Sequence, residues 1–280
     1  MTLEEVRAKI DAIDRELLRL LNERAECVNV VGEIKQREGL EFYAPEREEK
    51  LLRRLAELNA EQKGHLPERS IRAIYREIMS AALALEHPLT IAYLGPVGSP
   101  AHQVAVSKFG HGVTYAAQDG TQNLFTRIES KQADYGVLPM EHSRQGQVHH
   151  TLDEFAGSSL QICAQVFIGS DSGTRSRYLI VGRRASPATG DDRTMLLVEV
   201  PDEPGALGQV LKPFDEQRVN VCHIENRPGA DSKTARLFVE VSGHSDADAI
   251  TKTLAALRSA SGVSVRVLGS YPSSDWVETL

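Results

Sequence analysis

The chain has 280 residues, 41% hydrophobic and 25% charged, with 3 cysteines and a formal net charge of −7. These values exclude a disordered or collagen-like chain, no apolar run reaches the length of a membrane span, and the acidic balance counts against nucleic acid as a main partner. The acidic opening Met1-Thr2-Leu3-Glu4-Glu5 is unlike a signal peptide, and Cys27, Cys163 and Cys222 are too scattered for a metal clip or a disulfide framework. The expectation is a cytoplasmic protein of two or three domains that holds no metal.

Charge is unevenly spread: residues 1 to 86 hold 33 of the 71 charged residues but only 3 of the 21 glycines. That composition predicts helices. From Glu4 to about Arg37, Val6, Ile10, Ile13, Leu17, Leu20, Val28 and Val31 fall within about 40° of one direction at 100° per residue. Such a helix would run to roughly 50 Å, longer than a small domain is wide, so its apolar stripe needs a second copy to cover it. Pro45 followed by acids opens a second helix with Leu51, Leu55 and Leu58 facing inward, and Pro67 opens a third that Pro88 ends.

The stripe of the first helix carries two cations. Arg24 lies at its centre and Lys35 about 20° away, roughly 16 Å along the axis. Burying two unpaired cations is costly, so an anion is expected between them. Arg47 and Glu48 flank the leucine stripe of the second helix, Glu86 sits at the edge of the apolar face of the third, and Arg7 points about 100° away from the first stripe, toward another surface or subunit. Read one at a time, such residues are ordinary helix-surface charges that snorkel to solvent.

The pattern Arg7-x-x-Ile10-Asp11-x-x-Asp14, Leu20-Leu21-x-x-Arg24, Val31-Gly32-x-x-Lys35, Pro45-Glu46-Arg47-Glu48 and Ile78-Met79 through Leu85-Glu86 resembles the all-helical chorismate mutases. In particular it is similar to the N-terminal part of the bifunctional chorismate mutase/prephenate dehydratase family of phenylalanine biosynthesis. The resemblance implies an intertwined helical dimer in which Arg24 and the partner's Arg7 bind the two carboxylates of chorismate. Lys35 would donate to the ether oxygen, Arg47 would support the site and Glu48 would accept from the ring hydroxyl. Glu86 stands where some members have Gln, so it must carry a proton to donate. Activity is then expected to fall as pH rises, and to become level in Glu86→Gln. Two positions depart from the family: Ala82 for a common Ser and Ala44 for an Asp, which should weaken binding without removing a cation.

After Pro88 the pattern turns to short apolar runs broken by Gly. Residues 89 to 94, the block Ala133 through Ser143, then Gly146, His149, Thr151-Leu152-Asp153 and Arg177 through Gly182 resemble a prephenate dehydratase domain, which has two α/β lobes with the active site between them. Here the chain passes from Phe167 to Arg177 in ten residues, too few for the second lobe. The family's Thr-Arg-Phe reads Ser176-Arg177-Tyr178, and His142 follows Glu141 in place of Asn. Glu141, Ser143, Ser176 and Arg177 are therefore read as a degenerate remnant, with dehydratase activity lost for want of a second wall. A metal cluster of Glu141, His142, His149 and His150 is the weaker alternative, because no pair has one-turn spacing and the segment reads as loop.

A linker from Arg184 to Asp192 leads to the order β-α-β-β-α-β, a ferredoxin-like unit. Pro204-Gly205-Ala206-Leu207, His223 through Pro228 and Leu268 through Pro272 resemble the amino-acid-binding ACT domain. The resemblance implies a phenylalanine site at Gly205, Ala206, Leu207, Glu225, Asn226, Arg227 and Pro228, where a helix N-terminus would receive the carboxylate. Asn226 replaces a family Ser.

The expected architecture is multidomain, α plus α/β: a helical mutase over 1–88, a single dehydratase-like lobe over 89–183 and an ACT domain over 193–273. The expected activity is conversion of chorismate to prephenate without a cofactor. Phenylalanine is the expected effector, and a homodimer forms through the first helix and the ACT domain, with no nucleic-acid or membrane partner. The alternatives are a non-catalytic sensor of phenylalanine or prephenate, and a bifunctional enzyme with residual dehydratase activity.

Overall fold

A helix of 36 residues, α1 (Leu3–Glu38), opens the chain. Thr2 and Glu5 cap it reciprocally, and Gly39 stops it in a left-handed conformation at φ +67°. α2 (Pro45–Glu61) starts on its proline and α3 (Glu68–Glu86) directly after Pro67. The computed structural model describes residues 1–142, 146–147, 149–169, 175–229, 231, 233–273 and 277–279. Only Val28 and Gly32 of α1 are buried. Ile10, Ile13, Leu17, Leu20 and Leu21 stand 42 to 58% exposed, so one chain leaves the predicted stripe bare along its N-terminal half.

The next elements are β1 (Thr90–Leu94), α4 (Pro100–Phe109), β2 (Thr114–Gln118), α5 (Thr121–Glu129), β3 (Tyr135–His142), the two-residue β4 (Gly146–Gln147), α6 (His149–Gly157), β5 (Gln161–Gly169) and β6 (Arg175–Gly182). β1, β2 and β3 are parallel, as crossover helices require, while β6 runs antiparallel between β3 and β5. Side chains alternate between the faces of this sheet. Ile91, Tyr93, Tyr135, Val137, Tyr178 and Ile180 join a core with α4 and with Tyr43 and Leu83 of the helical domain. Ala92, Leu138, Met140, Leu179 and Val181 face α5, α6 and a second domain instead.

That second domain is β7 (Asp192–Pro201), α7 (Ala206–Glu216), β8 (Val221–Pro228), β9 (Thr234–Ser242), α8 (Asp248–Ser259) and β10 (Ser264–Pro272), in sheet order β10-β7-β9-β8. This is the expected ferredoxin-like arrangement. Two strands outrun the ends that the sequence alone predicts for them, Glu225 and Leu268. β8 includes the whole Glu225–Pro228 segment because its pairing with β9 continues to Pro228 opposite Ala235. β10 carries the closing motif to Pro272 through a bulge at Gly269. Gly269 lies where β10 crosses β5, and a Cβ there would fall 2.3 Å from the Ile162 carbonyl oxygen. Only a glycine permits that approach.

Two further points depart from the sequence reading. Within the segment read as loop, the described residues are in regular elements: Glu141 and His142 end β3, where pairing with β6 continues through His142, and His149 and His150 open α6. A short strand after the ACT domain, β11 (Val277–Thr279), returns to pair with β5, so the lobe's sheet is not confined to residues before the linker. Each face of the lobe's sheet is covered by the lobe's own helices together with a neighbouring domain.

Candidate functional site

α1 presents Arg24, Val28, Val31 and Lys35 at intervals of three and four residues, which places them on one face. They line a cavity of about 220 Å³ closed by Arg47 and Glu48 from the first turn of α2 and Glu86 from the last turn of α3. Lys35 Nζ donates to Glu86 Oε2 at 2.6 Å and to the Phe42 carbonyl at 2.8 Å. Glu86 is thus the carboxyl partner of Lys35. Phe42 stacks on His87 with ring centroids 4.6 Å apart, tying the α1–α2 loop to the end of α3. Ala44 and Ala82 also line the cavity, so both departures from the family pattern fall at its wall.

Arg7 is exposed and lies outside this cavity. It precedes Arg24 by 17 residues, about 25 Å of helix, and cannot reach the cavity of its own chain.

Burial pushes the Glu48 carboxyl above its ordinary range, against the opposing pull of Lys108 and then Arg76. Lys108 belongs to α4 of the lobe and places its Nζ 3.1 Å from Glu48 Oε2. It was not anticipated, since nothing in the spacing of α4 distinguishes Lys108 from a surface lysine.

Of the residues read from the sequence as a dehydratase remnant, Arg177 is held in a buried ion pair. Arg177 is 4% exposed and donates to both carboxylate oxygens of Glu240 on β9, at 2.9 and 2.5 Å, and to Tyr271 Oη at 3.1 Å. Tyr271 donates in turn to Glu240 Oε1 at 2.9 Å. Burial raises the Glu240 carboxyl, but Arg177, Tyr271 and Arg193 outweigh it and hold the group below the usual carboxylate range. The sequence did carry a signal for Glu240: one acid inside the apolar strand Leu237-Phe238-Val239-Glu240-Val241. Ser176 pairs in register with His142 and Ile168. Glu141 pairs at the backbone with Gln147 and Arg177, and Ser143 lies outside the described residues.

In the ferredoxin-like domain Gly205 caps α7 at φ +92°, Ala206 is buried and Leu207 is 47% exposed. Pro228, Ala235 and Val200 lie in one row across the sheet. Glu225, Asn226, Arg227 and Pro228 therefore share the sheet end from which α7 departs, two strands or about 10 Å away. Arg227 forms a two-pronged pair with Asp153 of α6 at 3.2 and 2.8 Å. Among the described residues no group of three metal-ligating side chains converges, and no helix is long and apolar enough to cross a membrane.

A helical domain with cations and carboxylates around one cavity, an α/β lobe and a ferredoxin-like unit, in that order, define a multidomain enzyme of the mutase–dehydratase–ACT class. Family models agree segment by segment: chorismate mutase type II matches residues 6–87, prephenate dehydratase 91–170 and the ACT domain 194–259. A bifunctional chorismate mutase/prephenate dehydratase of Aquifex aeolicus is 30% identical, with 97% of this chain and 98% of that protein aligned. One of Neisseria gonorrhoeae is 31% identical, with 96% of each covered. The prephenate dehydratase of Streptococcus mutans superposes with a TM-score of 0.58 at 26% identity, covering 65% of this chain and 97% of that one. The chain belongs to the bifunctional chorismate mutase/prephenate dehydratase family. Its alignment with the Aquifex relative runs over 356 positions, 76 more than the 280 residues present here.

Proposed function

We propose that the chain converts chorismate to prephenate in the helical domain, under control of phenylalanine at the ACT domain, and that its dehydratase activity is lost. The observation that carries the mutase reading is the convergence of Arg24, Lys35, Arg47, Glu48 and Glu86 from three helices on one cavity. Chorismate is a dianion, and its rearrangement breaks the ether C–O bond as a C–C bond forms, with no nucleophile. The protein must therefore hold a compact conformer and stabilise charge developing on the ether oxygen. Arg24 and the partner's Arg7 bind the carboxylates, Lys35 donates to the ether oxygen, and Arg47 supports the site. Glu48 accepts from the ring hydroxyl, and Glu86 is a second donor to the ether oxygen when protonated. A second copy brings Arg7 and covers the bare stripe of α1, and this supports a homodimer.

Two observations favour loss of the dehydratase. The arginine of the Ser176-Arg177-Tyr178 motif is buried against Glu240 rather than facing a cleft, and the chain is 76 residues shorter than its alignment with the Aquifex relative. The test is to supply chorismate to the purified chain, with and without phenylalanine, and separately to supply prephenate. Prephenate formed from chorismate, with no phenylpyruvate from prephenate, is expected. No turnover with phenylalanine still bound would replace this reading by a sensor, and phenylpyruvate formation would restore the bifunctional one.

A further inference from the structure

Among the contacts between the lobe and the mutase domain, one places a lysine of the lobe against a carboxylate that lines the candidate mutase site. Lys108 occupies the last turn of α4, next to Phe109, whose ring packs 4.8 Å from Tyr43 and 6.2 Å from Tyr135 by centroid. Gly110 follows at φ +69°, and a Cβ there would come within 2.5 Å of the Ser80 side chain of α3. The Ser80 hydroxyl also accepts from the Gly112 amide at 2.8 Å. The end of α4 is therefore pinned between the α1–α2 loop and α3, and its lysine has little freedom to be elsewhere. Lys108 Nζ lies 3.1 Å from Glu48 Oε2 and 5.8 Å from the Tyr43 ring centroid. The side chains of Lys108 and Glu48 are 19% and 13% exposed, so solvent screens this pair less than a surface one.

Glu48 is a wall shared by two cavities. One is the candidate mutase site, and the other is a smaller one at the seam, lined by Lys108, Arg72 and Arg76. We infer that Lys108 is a positioning residue of the mutase, holding one oxygen of Glu48 from behind so that the carboxylate faces the substrate hydroxyl. This rests on the reading of Glu48 given above. A carboxylate has lone pairs for both partners, and a cation behind it keeps it ionised and oriented. The other charged groups near Glu48 among the described residues are Arg24 on α1, Glu46, Arg47 and Glu49 on α2, Arg72 and Arg76 on α3, and the Lys35–Glu86 pair across the cavity. Arg72 already meets Glu49 and Glu68. On this inference a lobe without its own activity is retained because the neighbouring active site is completed by it.

The experiment is a double-mutant cycle on chorismate turnover by the full chain, with Lys108→Met, Glu48→Gln and the pair, each measured across pH. Lys108→Met should raise KM about tenfold with kcat much less affected, and move the acid limb of kcat/KM to higher pH. Lys108→Arg should recover most of the loss. In the Glu48→Gln background, Lys108→Met should add nothing. Additive losses in the double variant, or an unchanged KM and acid limb in Lys108→Met, would overturn the inference while leaving the mutase reading intact. A wild-type chain that does not turn over chorismate sinks both. If the methionine variant does not fold, Lys108→Gln bears the same expectations.

Discussion

The helical domain and the junction between the lobe and the ACT domain use charge in opposite ways. In the helices, Arg24, Lys35 and Arg47 surround an open cavity, and a long apolar stripe has no cover within the chain. At the junction, Arg177, Glu240 and Tyr271 satisfy one another in a closed, nearly dry triad. The comparison separates cations that line an open cavity from a cation sealed against its carboxylate; Lys35, though paired with Glu86, still faces the cavity. Arg177, expected from the sequence to belong to a dehydratase motif, is of the second kind.

The largest effect should come from breaking the closed triad. Arg177→Met leaves Glu240 buried without its main partner and is expected to destabilise the chain by about 3–5 kcal/mol, read by urea unfolding, while Arg177→Met with Glu240→Leu recovers most of it. Because the folded Glu240 carboxyl titrates below its ordinary range, its contribution is complete above the unfolded value. It is lost as pH falls through the depressed folded one, so an acid titration of the double variant should lack that step.

Opening the other side of the comparison, Lys35→Ala should lower kcat by about 10²–10³, a loss of chemistry rather than of folding. Next comes the bare stripe: Leu17→Lys should weaken the proposed dimer by about 1.5–3 kcal/mol per buried leucine, seen as monomers in sedimentation and as a Tm that no longer rises with protein concentration. The smallest stability effect belongs to Arg227→Ala, at most about 1 kcal/mol, because its pair with Asp153 is partly solvated, at 21% and 46% exposure. A loss of phenylalanine affinity well beyond that would mark Arg227 as a ligand residue despite its partner.

The helical half was open to sequence reading because periodicity and caps are local. The centre of the stripe could be computed, and the cations found on it line the cavity. The ferredoxin-like order was equally legible from alternation, although β8 and β10 end later than the turn residues suggest, since pairing with a neighbour decides where a strand stops. What could not be read were contacts between domains. Lys108 meets Glu48, Arg227 meets Asp153 and Arg177 meets Glu240 across 60, 74 and 63 positions of chain, and no local rule predicts such meetings. Glu240 alone left a trace, as an acid in an apolar strand.

β11 has a consequence for the order in which the protein is made. It pairs with the outer edge of β5, yet it is synthesised only after the whole ACT domain. Until then β5 presents open backbone groups, the kind of edge on which nascent chains join one another. Synthesis rate through the ACT segment therefore sets how long that edge stays uncovered, and a stall there is when aggregation should be greatest.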